Sequence, residues 1–293
     1  MVDRSKARFV FQIANYVFLT ILSFLCLFPM IHVIAISLSS SSAAGAGLVT
    51  LWPVEFTLKS YKFILSKPEF MRSIWISIER VFLGTLLNML FTLIIAYPLS
   101  KDKKDLKFRM GYAWFFVFTM LFGGGLIPTF MVIKYTGLLD SIWALVIPGA
   151  VPVFNVILLL NFFRGLPKEL EESAFIDGAG YWSVLWKIYL PLSLPALATV
   201  GLFTIVGHWN AWFDGYIYMN SPDKQPLATY LQSVLKGVDL LKVTGQDVKT
   251  LAEVSDRTAK AAQIFVGALP VLMIYPFLQK YFVKGLVLGS VKG

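Results

Sequence analysis

Glu172-Ser173-Ala174-Phe175-Ile176-Asp177-Gly178, with Ile188-Tyr189-Leu190-Pro191 ten residues further on, lies in a polar island between two strongly apolar stretches. The island, about 164–192, is too polar to cross a membrane and too patterned to be a slack connection. Pro167 suits a first helical turn, where its missing N–H costs nothing. Glu169, Glu171 and Glu172 follow in the turns where the helix dipole favours acids. Leu170, Ala174 and Phe175 supply a partly apolar face at helical spacing. Asp177-Gly178 is a turn signal, because glycine accepts a positive φ. A second short helix is expected from about Tyr181 to Tyr189, closed by Leu190-Pro191. The expectation is a helix–turn–helix with a carboxylate near its centre, a shape that suits docking into a groove on a partner. Two other readings fit the same residues. One is an acid–base carboxylate pair, which needs a pocket and has no His or Cys beside it. The other is an amphipathic segment lying at a membrane interface.

The residues around the island explain its setting. Of 293 residues, 57% are hydrophobic, and the mean hydropathy is +0.70. Soluble domains are about 45–50% apolar, so an integral membrane protein is the class to test. Crossing a bilayer takes about 20 apolar residues as helix, and helices satisfy their own backbone groups in lipid. Six runs qualify: about 10–37, 73–98, 110–133, 139–163, 193–218 and 262–284. The first is too long for a signal-peptide core, which spans about 7–15 residues, so it is expected to be retained. The fold class expected is all-α, with six transmembrane helices in a single transmembrane domain, 10–293, behind a short N-terminus, 1–9.

Charge sets the orientation. Arg4, Lys6 and Arg8 precede the first run, and Lys101, Lys103, Lys104, Lys107 and Arg109 crowd the link between the second and third. The next link carries only Lys134. Basic residues in short links favour the cytoplasm, which places both termini and the polar island inside and the loops 38–72 and 219–261 outside. The net charge of +9 is thus accounted for by topology, and no nucleic-acid partner is expected.

Other chemistry is sparse. Cys26 is the single cysteine, and His32 and His208 lie far apart, so neither a disulfide framework nor a metal-ligand spacing exists. No Gly-Lys dipeptide occurs, so the phosphate-binding P-loop is absent. A secondary transporter would be expected to show internal repeats and intramembrane carboxylates; no repeat is visible, and Glu79 and Asp214 are the acids near membrane depth. Trp209, Asn210, Trp212 and Asp214 end the fifth run; Asn210 and Asp214, four apart, are expected on one helix face. They fit either a lining for a polar solute or an aromatic belt. Glu79 and Arg80 are expected to snorkel or to meet a partner subunit.

The spacing E-x-A-x3-G-x9-I-x-L-P from Glu172 to Pro191 resembles the cytoplasmic coupling loop of ABC importer permeases. Gly125-Leu126-Ile127-Pro128-Thr129, Gly137-Leu138-Leu139-Asp140, Leu166-Pro167-Lys168-Glu169-Leu170 and the tail Lys284–Gly293 extend the likeness over nearly the whole chain. The chain is similar to the MalG-like sugar-importer permeases, within them to the subgroup for oligosaccharides and polysaccharide fragments such as alginate or pectin. Ser173 stands where the motif has alanine. The resemblance implies a type I importer fold and a transport subunit in a bacterial cytoplasmic (inner) membrane. The implied assembly holds a second related permease, two ATP-binding cassette subunits that bind and hydrolyse ATP with Mg, and an extracytoplasmic solute-binding protein that delivers a carbohydrate. It also implies residue roles. Glu172 would pair with a basic residue of the ATPase, Gly178 would make the turn, and Ala174 and Phe175 would pack on the groove wall. Ser173, Asp177, Ile188, Leu190 and Pro191 complete the motif. Ser290, Val291, Lys292 and Gly293 would reach between the ATPases. No cofactor is implied for this chain itself.

Overall fold

The computed structural model describes residues 6–235 and 256–290. Among them every regular element is helical and no strand occurs. In chain order these are α1 (Lys6–Ser37), α2 (Ser41–Gly45), α3 (Lys59–Ser66), α4 (Pro68–Ser100), α5 (Arg109–Leu121), α6 (Leu126–Tyr135), α7 (Ile142–Val146) and α8 (Val153–Arg164). They continue as α9 (Lys168–Ile176), α10 (Tyr181–Val184), a π-turn (Leu185–Tyr189), α11 (Leu190–Leu192) and α12 (Leu194–Asn210). Then come α13 (Phe213–Tyr218), a 3₁₀ turn (Pro222–Lys224), α14 (Leu227–Leu235) and α15 (Asp256–Ser290).

Among the described residues three helices, in α1, α4 and α15, are long and apolar enough to cross a membrane, or five if each of two bent pairs counts as one crossing. The third expected run is broken: α5 and α6 meet at 107°. Gly123-Gly124-Gly125 makes the break, with Gly125 at φ +83°, where a side chain would be strained. The fourth run is also divided. α7 ends before Pro148, and α8 restarts after Pro152, since proline cannot continue a hydrogen-bonded turn. The fifth ends at Asn210, and α13 is a separate short helix, so the expected face shared by Asn210 and Asp214 does not exist. Ala211 is extended there (φ −71°, ψ 118°).

Two compact units share the chain: residues 1–70 with 233–269, and 71–232 with 270–293. In the first, α1 is exposed on all sides from residue 8 to 29, as a helix without a polar face must be in lipid. Its end packs through Ala35 and Ile36 on Ala43, Ala44, Val49 and Ala261, and Arg257 donates to the Ala44 carbonyl at 3.0 Å. Cys26 is exposed on α1.

In the second unit α4 is patterned inside out. Ser73, Ser77, Arg80, Asn88, Thr92 and Ala96 are buried, while Trp75, Phe82, Leu86 and Leu90 are exposed. Lipid gives no hydrophobic drive for helices to pair, so packing and interhelical hydrogen bonds must hold them. Asn88 donates to the Gly149 carbonyl at 2.6 Å, its Oδ1 lies 2.7 Å from His208 Nε2, and Asn155 donates to Thr204 Oγ1 at 3.2 Å. Gly84 lets the His208 ring approach: a β-carbon there would lie 2.4 Å from Nε2. Toward its other end, α4 joins α8, the π-turn and α12 in one core, with Tyr97, Leu159, Phe163, Val184, Leu185 and Tyr189 at its centre.

Candidate functional site

The polar island forms the expected helix–turn–helix, but Leu190-Pro191 does not close the second helix: Leu190–Leu192 is helical, with Pro191 in a first turn, where its missing N–H costs nothing. α9 is capped by Pro167, and the chain reverses at Gly178, φ +82°. The turn is a Schellman cap: Ala179 N–H bonds to Ala174 C=O at 2.9 Å, and Gly178 N–H to Phe175 C=O at 3.0 Å. Ala174 and Ala179 both pack on the core beneath. After Gly180 the chain re-enters helix, and Leu190 N–H reaches back five residues to Leu185 C=O. This wide turn precedes Pro191 and Pro195, neither of which can donate a backbone hydrogen bond. The second helix, Tyr181–Leu192, then bends by 81° into α12.

One carboxylate roots the segment. Glu171 accepts from Lys101 Nζ at 2.5 Å and from Tyr189 OH at 2.5 Å. The Lys101 ammonium sits 4.0 Å over the Tyr97 ring and 4.1 Å over the Tyr189 ring, a stacked position favourable for a desolvated cation. Tyr97, Phe163 and Tyr189 meet edge to face at 5.1–6.4 Å. Burial pushes the Lys101 ammonium below its ordinary value, and the Glu171 hydrogen bond and charge oppose that. Arg109 donates to Lys101 C=O and Arg164 to Leu99 C=O, covering carbonyls at the end of α4. Sequence reasoning missed Glu171 as the anchor. Its signal was Lys101, the first base after an apolar helix, 70 residues away.

The neighbouring carboxylate does the opposite. Glu172 is exposed and borders a cleft of about 480 Å³, with Lys168, Arg164, Arg109 and Phe175 also on its walls. Lys168 bonds Asp102 at 2.5 Å, which raises the lysine and holds the aspartate below its ordinary value. Ser173 is exposed and returns its hydroxyl to Glu169 C=O at 2.8 Å. Phe175 stacks edge-on against Tyr181 at 5.0 Å, and Ile176 is 86% exposed. Asp177 and Pro191 are exposed, whereas Ile188 and Leu190 pack on the core. With Glu171 engaged by Lys101 and Tyr189 and Glu172 facing solvent, the two acids do not form a catalytic pair. No cluster of metal-ligating side chains occurs among the described residues.

The other expected residues are dispersed. Trp209 is buried, Asn210 exposed and Trp212 half-buried. Asp214 is bound to Arg80 through both carboxylate oxygens. Arg80 therefore does not snorkel: its side chain is 3% exposed and also donates to Ala211 C=O at 3.0 Å. It fills the carbonyl freed where α12 stops. Glu79 is exposed. Ser290 closes α15, while Val291, Lys292 and Gly293, and residues 236–255 of the expected outer loop, lie outside the described residues.

Known proteins resemble this chain in sequence, and one also in structure. Protein LplC of Bacillus subtilis (strain 168) is 42% identical over 289 residues, 99% of this chain and 97% of its own. The polygalacturonan/rhamnogalacturonan transport system permease protein YtcP of the same organism is 40% identical over 284 residues, 97% of this chain and 99% of its own. A subunit in the crystal structure of a bacterial ABC transporter involved in the import of the acidic polysaccharide alginate superposes with a TM-score of 0.88 at 33% identity, covering 96% of this chain and 100% of that one. The family of binding-protein-dependent transport system inner membrane components matches residues 4–287. With that match spanning the broken helices and the capped helix–turn–helix alike, the chain belongs to the binding-protein-dependent transport system inner membrane components.

Proposed function

We propose that this chain is one of two related permease subunits of an ATP-driven importer for a carbohydrate, an oligosaccharide or polysaccharide fragment. Six crossings with both termini in the cytoplasm fit the charge bias of the links, with α7 and α8 together making the fourth. Two ATPase subunits, which bind ATP and Mg, grip the α9–α10 segment, and a solute-binding protein delivers cargo from the other side. The names of the relatives favour an acidic glycan, since one is a polygalacturonan/rhamnogalacturonan permease and another structure belongs to an alginate importer.

The observation that carries the proposal is the division of labour between adjacent acids. Glu171 is held by Lys101 and Tyr189, while Glu172, Phe175 and Ile176 are presented on a capped, rigid turn. Preorganised surfaces lose less entropy on binding. Glu172 would meet a base on the ATPase, Phe175 and Ile176 would fill its groove, and the Ser290–Gly293 tail would reach between the two ATPases. Trp209, Asn210 and Trp212 remain the proposed solute-side residues; Asp214 acts there through Arg80.

Reconstitution with the partner permease, the ATPases and the binding protein tests this. Glu172→Arg and Gly178→Pro are expected to abolish stimulated ATP hydrolysis while leaving membrane insertion intact; unchanged stimulation in both overturns the coupling role. A panel of oligogalacturonates, alginate oligosaccharides and neutral glucans against the binding protein identifies the cargo. Binding of neutral glucans alone overturns the acidic-glycan reading.

A further inference from the structure

A second cleft, of about 360 Å³, lies between the end of α4, the link that follows it and the second helix of the polar island. Ile94 and Pro98 of α4, Leu106 of the link and Leu185 of the π-turn give it apolar walls. Lys101 and Asp105 are the charged groups on its lining. Tyr97 also lines it and donates to Tyr181 C=O at 3.1 Å, which ties α4 to α10 beside the cleft. Glu172, Phe175 and Ile176, the presented residues of the coupling segment, are not among its walls.

Two kinds of chemistry meet here. Tyr181 and Trp182 line the cleft and are 52% and 63% exposed, and Ile94 and Pro98 are exposed as well. Aromatic side chains of this kind concentrate where a bilayer meets water. The link from 101 to 109 carries five bases against two acids. Lys101 is held by Glu171, and Asp102 by Lys168. Lys103, Lys104 and Lys107 are exposed and form no ion pair among the described residues. A water-soluble anion would leave the apolar walls bare, and a hydrocarbon alone would leave these lysines without counter-charge. One ligand class satisfies both: a phospholipid with its acyl chain against Ile94, Pro98 and Trp182 and an anionic headgroup at the lysines of the link.

We propose that this cleft is a binding site for an anionic phospholipid such as phosphatidylglycerol. The proposal rests on the membrane reading given above, in which the charge bias puts the link at the cytoplasmic face. Each lysine near an anionic surface adds about fivefold in affinity, so the three together outweigh the single exposed acid on the lining, Asp105.

The test uses the assembled importer in phosphatidylcholine nanodiscs, doped with phosphatidylglycerol that carries a photoactivatable acyl chain, with the label mapped to peptides. The expected result is label on residues 94–106 and 181–186 that half-saturates at a lower mole fraction than with phosphatidylcholine carrying the same chain. Equal labelling by the two lipids overturns the proposal. Lys103→Gln/Lys104→Gln/Lys107→Gln, which keeps Lys101 and Arg109 to hold the orientation, is expected to raise the half-saturating mole fraction about tenfold. Ile94→Trp, which fills the cleft and leaves the lysines in place, is expected to abolish the label there. Weakened labelling in the triple variant with full labelling in Ile94→Trp means attraction to surface charge alone, and overturns the site. Loss in Ile94→Trp with an unmoved triple variant means unselective chain packing, and overturns the headgroup selectivity. If a variant does not assemble, the comparison of the two lipids on the wild type decides. Label on other peptides of this chain but none at the cleft overturns the site alone, whereas no label from either lipid on any of its peptides overturns the membrane reading itself.

Discussion

Asp214→Asn removes one charge from a nearly isosteric side chain and leaves the Arg80 guanidinium without its counterion. Arg80 Nη1 lies 3.0 Å from Asp214 Oδ1, and its second amino nitrogen bonds the other oxygen. At that separation and an effective dielectric constant of about 20, the attraction is about 5 kcal/mol. The Asp214 side chain keeps 29% exposure, so water screens part of it. Arg80 has no such access, and its buried Nε already lacks a hydrogen-bond partner. Stranding it should cost about 3 kcal/mol, within the range for broken buried pairs. That corresponds to a fall of about 6 °C in the unfolding midpoint. Arg80→Met is expected to cost less, about 1 kcal/mol, because the remaining carboxylate can turn to water. The double variant Arg80→Met/Asp214→Leu should be more stable than Asp214→Asn, since it strands no charge. Thermal unfolding of the three variants in detergent or nanodiscs, followed by circular dichroism, checks the order. Equal losses in the two single variants, or a double variant less stable than Asp214→Asn, would refute the reasoning.

Two other expectations follow from close contacts. Gly84→Ala should cost about 2 kcal/mol by overpacking and break the Asn88–His208 bond, because its β-carbon would overlap the His208 ring; an unshifted unfolding midpoint would count against the packing described. Burial opposes ionisation of Asp140, but its bonds to Ser221 and Lys224 hold its pKa at about 2. A depressed carboxyl adds stability above its unfolded value of about 3.9 and loses it as pH falls through 2. The wild type should therefore lose its advantage over Asp140→Asn between about pH 4 and 2 in acid-unfolding experiments, and a constant difference across that window would contradict it.

The polar island was legible because its signals are local. Pro167, Asp177-Gly178 and the periodic Leu170, Ala174 and Phe175 each act within a turn or two of themselves. The bends were half legible: Gly123–Gly125 and Pro148 with Pro152 mark where a helix must yield, but not that α5 and α6 turn by 107°. The pairings were not legible at all. Arg80 meets Asp214 across 134 residues and Glu171 meets Lys101 across 70. Nothing in the string Glu171-Glu172 tells which acid turns inward, because that is decided by where the ammonium and the Tyr189 hydroxyl arrive. Asn210 and Asp214 misled for a related reason: spacing by four implies a shared face only while the helix continues, and Arg80 stabilises its interruption.

The separation of Glu171 from Glu172 also has a mechanical meaning. Consecutive residues on a helix point about 100° apart while their α-carbons lie about 3.8 Å from each other. A pull on the outer acid therefore has almost no slack to take up before it loads the inner one. From there it runs by two short hydrogen bonds into the ends of α4 and the π-turn that leads to α12. In the proposed coupling role the segment would act as a short, stiff crank whose pivot and handle are neighbouring residues, joined directly to the ends of α4 and the π-turn.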